Sequence, residues 1–175
     1  MSRCASLRCE NRKEAGEFEM HKNAELIQRF YTALQNKDAA GMQACYHKNV
    51  HFYDPAFRDL NGDRARAMWA MLCRNGKDLR VEFRDVNADD QNGAAHWDAY
   101  YTFSATGKKV HNSIDARFEF RDGLIVRHVD TFDFHRWAGQ ALGLVGRLLG
   151  GTSFLQNTFS GKANKLLDTY IASNR

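Results

Sequence analysis

The chain has a single proline among 175 residues and no internal repeat, which excludes collagen-like and proline-rich low-complexity classes. It has four cysteines and no CxxC spacing, so neither a zinc knuckle nor a disulfide scaffold is encoded. No apolar run approaches the roughly 18 residues a membrane span requires. The longest apolar region, Ala141–Leu149, is interrupted by glycines and Arg147. The N-terminal stretch has arginines but no apolar h-region of a secretory signal. These absences point to a cytoplasmic protein with reduced thiols. A dense basic stripe is also missing. Residues 23–134 carry fifteen Lys/Arg against sixteen Asp/Glu, and the surplus of the net +4 sits in residues 135–175, with five Lys/Arg and one Asp. The reading is no nucleic acid.

What is present is a large apolar complement: 43% hydrophobic residues, with twelve Phe, six Tyr and three Trp, enough for one sizeable core. Residues 22–36 repeat apolar positions at three and four (Leu26, Ile27, Phe30, Tyr31, Leu34) and read as an amphipathic helix. Asp38 is placed to cap a second short helix through Tyr46, with Met42, Cys45 and Tyr46 on its apolar side. Residues 50–55, VHFYDP, read as a strand closing on the proline, and residues 62–75 as a third helix stopped by Asn75-Gly76. Residues 79–134 then alternate. Val81 and Phe83 share one face; so do Trp97, Ala99, Tyr101 and Phe103; so do Val110, Asn112, Ile114, Ala116, Phe118 and Phe120. Arg121-Asp122-Gly123 is a hairpin signal. After it, Leu124, Val126, His128, Asp130, Phe132 and Phe134 fall on one face. Helices followed by long hairpin-linked strands define an α+β fold whose antiparallel sheet must curl around the N-terminal helices. The expected organisation is a disordered extension at 1–19, a cone domain at 20–134 and a C-terminal helical arm at 135–175. The arm comprises a glycine-weakened helix over 135–149 and a final helix begun by Thr152 or Ser153.

The opening helix with FYTALQNKDAAGMQACYHKNVHFYDP, the helix after LNGDRARAMW, and the hairpin FEFRDGLIVRHVDTFDF together resemble the nuclear-transport-factor-2-like superfamily. That superfamily has a cone-shaped α+β fold and includes ketosteroid isomerase, SnoaL-like polyketide cyclases and limonene-epoxide-hydrolase-like enzymes. The resemblance covers about residues 22–134. It implies a pocket between the concave sheet face and the helices, no cofactor, and a homodimer formed through the sheet.

Two groups of residues carry candidate chemistry. Asp54-Pro55 matches the position at which the isomerase places its general base. A carboxylate at the mouth of an aromatic cone is partly desolvated, which lifts its pKa toward the working range of a base. The same residue also reads as the start of an Asx turn before Pro55. His128 and Asp130, two apart on one strand face, form either an acid/base pair or a satisfied polar brace of the cone. Asp130 resembles one of the acid/base carboxylates of the epoxide hydrolases. In both readings His128 and Asp130 are shielded, while Arg127 and Asp133 are more exposed. Tyr31, Tyr53, Trp97, Tyr101, Asn112 and Phe132 are the candidate substrate-contacting residues. The sequence departs from its relatives at three points: Phe30 and Ala116 stand where the isomerase has its oxyanion-hole Tyr and Asp, and Ser113 falls near the hydrolase arginine. His128 and Asp130 supply too few ligands for a metal, so none is expected.

The resulting expectation is a cofactor-independent protein acting on a small hydrophobic molecule bearing a carbonyl or epoxide, by isomerisation, cyclisation or hydrolysis. The alternative is a non-catalytic ligand-binding protein or dimeric scaffold built on the same cone. No stable membrane association is expected, because the apolar stripe of the arm reads as packing against the cone or a partner subunit.

Overall fold

The computed structural model describes residues 20–174. The expected extension at 1–19 lies outside them. Helix α1 (Lys22–Gln35) begins where the His21 side chain accepts from the Asn23 N–H, and its five periodic apolar residues are all buried. Asp38 caps α2 (Ala39–Ala44), accepting from Gly41 N at 2.9 Å. This second helix ends earlier than the sequence suggests. Tyr46 is the first residue of strand β1 (Tyr46–Tyr53), and the strand's alternation carries Tyr46, Val50 and Phe52 into the core. A two-residue strand β2 (Leu60–Asn61), too short to show a pattern in the sequence, precedes α3 (Asp63–Asn75).

Strands β3 (Arg80–Ala88), β4 (Asn92–Phe103), β5 (Lys108–Arg121) and β6 (Leu124–Thr131) complete a six-stranded sheet in the order β2-β1-β6-β5-β4-β3. β1 runs parallel to β6, and the other pairs are antiparallel. Register shifts interrupt β3 between Arg84 and Asn87, and β6 at Val126, which is extra between the partners of Glu119 and Phe120. Such irregularities bend a strand and increase its twist, which helps the sheet wrap around α1 and α3. The second shift corrects the expected face of β6. Ile125, opposite Phe120, is buried, whereas Leu124 and Val126 are only partly so; strict alternation resumes at His128 and Asp130. Arg127 and Asp133 are exposed.

On the outer face Asp115, Arg117 and Glu119 meet solvent. Asp98 is buried there, accepting from Arg84 Nη1 at 2.5 Å and paired with His111 Nε2 at 2.8 Å. Burial raises its pKa, but the hydrogen bonds from Arg84, His111 and Ser113 outweigh that and hold it at about 2.

The arm is three helices, not two. Gly143, at φ +67°, separates α4 (Phe134–Leu142) from α5 (Leu144–Leu149), a left-handed turn that glycine adopts without strain. Asp133 caps α4 and Thr152 caps α6 (Ser153–Ser173). α4 docks on β5, where the Gln140 amide pairs with both the N–H and the C=O of His111 (2.7 and 3.0 Å). A small second core forms from Val110, Phe134, Trp137, Ala138 and Ala141. α6 then packs across α3 and the second core. Phe159 packs on Trp137 and Phe103, Asn157 accepts from Arg58 at 2.8 Å, and Asp168 accepts from Arg64 at 2.5 Å. Ala163 and Leu167 of α6 join the main core.

Candidate functional site

The interior of the cone is aromatic, and one line of polar groups runs through it. Tyr46, at the start of β1, and Trp69, on α3, meet where the indole Nε1–H donates to the phenol oxygen at 2.8 Å. The Tyr46 hydroxyl lies 2.7 Å from Nδ1 of His128, and Nε2 of His128 lies 2.9 Å from Oδ1 of Asp130. Trp97 Nε1–H donates to the same Oδ1 at 3.3 Å. His128 is 0% and Asp130 3% exposed. One proton arrangement satisfies every member. Tyr46 accepts from Trp69 and donates to Nδ1, and Nε2–H of His128 donates to Asp130. Two N–H groups thereby fix Oδ1, and no side chain among the described residues donates to Oδ2. The other rings, Phe30, Phe52 and Phe118, surround His128 at centroid distances of 5.4, 5.2 and 4.4 Å.

Asp54 follows β1 directly. Its Oδ1 accepts from the N–H groups of Ala56, at 2.7 Å, and Phe57, so the Asx turn read in the sequence is formed. The turn does not leave the carboxyl in water. The residue is half-buried, and its pKa is pushed up to about 7. Burial is the main cause and the charge of Asp130 adds to it, against the two backbone hydrogen bonds that favour the ionised form. Burial, with the Asp54 charge contributing, also raises the pKa of Tyr101, whose oxygen accepts from Trp137 Nε1 at 2.8 Å. Asp54 thus lies within electrostatic reach of both Asp130 and Tyr101.

Tyr31 is fully buried, stacked on Phe83 and tilted against Trp97, and its hydroxyl has no hydrogen-bond partner. Burial pushes its pKa well up, and the charge of Asp130 adds to the rise. An orphaned buried hydroxyl costs about 1–3 kcal/mol.

The other sequence-selected residues divide. Trp97 and Phe132 lie on the inner side, Trp97 as a donor to Asp130 and Phe132 packed on both cores. Asn112, opposite Ala99 on the inner face, is half-buried. Tyr53 is a correction: it is 39% exposed, because Phe52 takes the inward position opposite His128 and its neighbour must point the other way. Tyr46 and Trp69 are members the sequence did not single out. Tyr46 read as the apolar side of a helix and Trp69 as core; only the crossing of β1, α3 and β6 makes them polar partners. Among the described residues there is no group of three or more His, Cys, Asp or Glu that could hold a metal ion.

A family model described as SnoaL-like domain matches residues 27–128. Among solved structures, a candidate polyketide cyclase from Xanthomonas campestris pv. campestris is similar at 21% identity and TM-score 0.58, over 69% of this chain and 96% of that one. An LEH-like epoxide hydrolase from M. tuberculosis matches at 20% identity and TM-score 0.60, over 75% and 98%. A candidate ketosteroid isomerase from Kribbella flavida matches at 17% identity and TM-score 0.51, over 63% and 77%. No curated protein matches the sequence. At these identities the structural likeness establishes the curved-sheet α+β fold alone and leaves the reaction open.

Proposed function

Since the chain belongs to the SnoaL-like domain family, we propose that it is a cofactor-independent enzyme whose carboxylates perform acid–base chemistry on a small apolar substrate bearing a carbonyl or an epoxide. What supports this reading is that Asp54 and the unpartnered Tyr31 hydroxyl both lie within the electrostatic reach of the buried Asp130. With a pKa of about 7, Asp54 is available both as acid and as base near neutral pH. Its ionised form would take a proton from carbon beside a carbonyl and return it elsewhere on the substrate. In a hydrolysis it would take that proton from water. Tyr31 replaces, from the neighbouring helix position, the donor lost at Phe30, and would hydrogen-bond the oxygen on which charge develops. His128 is a positioning residue: it holds Asp130 Oδ1 so that Oδ2 is presented to the ligand.

The test is turnover of a panel of epoxides and enones by the native chain, Asp54→Asn and Tyr31→Phe. Asp54→Asn is expected to lower turnover by about 10² or more while ligand affinity stays. Equal turnover by the native chain and Asp54→Asn would remove that residue from the mechanism.

The position of α6 favours a second reading, a non-catalytic hydrophobic-ligand protein or scaffold. Leu167 is fully buried in the same core as Trp97 and Phe52, so α6 fills apolar volume that a ligand would otherwise occupy. Native mass spectrometry of freshly purified protein separates the readings. A retained apolar ligand in a chain inactive across the panel supports this second reading.

A further inference from the structure

The short helix α5 is folded inside out. Its one buried residue is Gly146, and its large apolar side chains face solvent: Leu144 is 71%, Val145 54% and Leu148 72% exposed. Leu149 at the end of α5 and Phe154, at 73% on the first turn of α6, are exposed as well. The cause is close helix contact. A Cβ on Gly146 would lie 1.8 Å from the carbonyl oxygen of Ala138, so α5 lies flush against α4 through glycine. Only small residues fit inward, and the leucines have nowhere to point but outward. A purely structural helix would bury them, since each is worth about 1.5–3 kcal/mol in a core. A contiguous exposed apolar ridge of this kind marks an interaction surface.

The charge around the ridge identifies the occupant. A depression of about 490 Å³ lies between α4 and α5, lined by Asp133, His135, Arg136, Gly139, Gln140 and Arg147. The single acid of that lining, Asp133, caps α4 by accepting from Arg136 N. Arg147 is exposed at the edge of this depression, its stem against Gly139, and Lys162 and Lys165 are exposed on α6. The one acid of the arm, Asp168, is paired with Arg64 of the body. A second copy of this chain fits less well, because its own arm is equally basic and would set Arg136 and Arg147 against like charge. An anionic lipid surface matches both features, with apolar side chains entering the acyl boundary and arginines at headgroup level.

We propose that α5 and the adjoining start of α6 form a reversible docking site for anionic membrane surfaces, with Leu144, Leu148 and Phe154 inserting and Arg136 and Arg147 meeting lipid phosphates. This departs from the sequence expectation, which took the arm's apolar residues as inward packing. No helix among the described residues is long and apolar enough to cross a membrane, so the mode is peripheral. The proposal is independent of the acid–base reading of the cone.

Flotation of the full chain with phosphatidylcholine vesicles, with and without about 30% phosphatidylglycerol, tests it. Binding is expected to be about tenfold or more stronger on the anionic vesicles and to weaken with salt. Leu144→Ser/Leu148→Ser, at exposed positions, should lower it about tenfold with an unchanged melting temperature. Arg136→Gln should weaken binding to anionic vesicles alone. Four results would overturn the proposal: no binding to either vesicle, equal binding to both, binding unaffected by the double serine variant, or full competition by millimolar glycerol phosphate. So would a native dimer that the double variant converts to monomer, since a second copy would then cover the ridge.

Discussion

Replacing Asp54 by Asn keeps the shape of the turn, because the amide oxygen still accepts from Ala56 and Phe57, and removes only the ability to ionise. The native fold holds the Asp54 carboxyl at about 7, whereas its ordinary value is 3.8. Between those values the folded protein keeps a proton that the unfolded chain has released, so stability falls as pH rises. At pH 5 the difference amounts to about two pH units, or ~2.7 kcal/mol, and by pH 8 almost nothing remains. Asp54 is half-buried, and residual contact with water reduces this, so about 1–2.5 kcal/mol is expected. Urea titrations at pH 5 and pH 8 measure it. With a typical urea dependence of about 1–3 kcal/mol per molar, the native midpoint should fall by roughly 1 M more than that of Asp54→Asn over this interval. Equal pH dependence of the two proteins would show that Asp54 is solvated in the fold. The premise of a desolvated carboxyl at the cone mouth would then be lost.

Tyr46→Phe strands the Trp69 N–H and His128 Nδ1 in the core, and should cost about 2–4 kcal/mol by chemical denaturation. Asp98→Asn should flatten the acid limb of the stability profile: the native stabilisation is present above pH 4 and lost as pH falls through 3.8 toward 2, and the variant lacks it. Gly146→Ala cannot be accommodated against the Ala138 carbonyl and should open the arm, read as new protease cleavage around residues 143–152. Gly161→Ala, in helix α6 with nothing within 4 Å of the added carbon, should instead raise stability by about 0.5–1 kcal/mol.

Much of the fold was legible because its signals are local. The spacing of Leu26, Ile27, Phe30 and Tyr31 needs only helical periodicity, and the alternation through Trp97, Ala99 and Tyr101 needs only strand pleat. The shielding of His128 and Asp130 followed from their two-residue separation. Errors arose where a partner strand, not the segment itself, set the conformation. Tyr46 continued a helical pattern, but pairing with β6 drew it into β1. Ile125 replaced Leu124 and Val126 in the core because of a register shift that no local pattern records. Tyr53 looked like a site aromatic, and the strand turned it outward.

By itself the sequence determined the helices and strands of the cone, the Asx turn at Asp54 and the basic bias of the arm, since periodicity, turn chemistry and charge reside in neighbouring residues. Only the tertiary structure decided that Tyr46 and Trp69 join His128 and Asp130 in one hydrogen-bonded line, and that Tyr31 keeps an unpartnered hydroxyl beside them. It also decided that the leucines of α5 face outward. Each outcome depends on which surfaces meet across the folded chain, here Gly146 against Ala138 and β1 against β6.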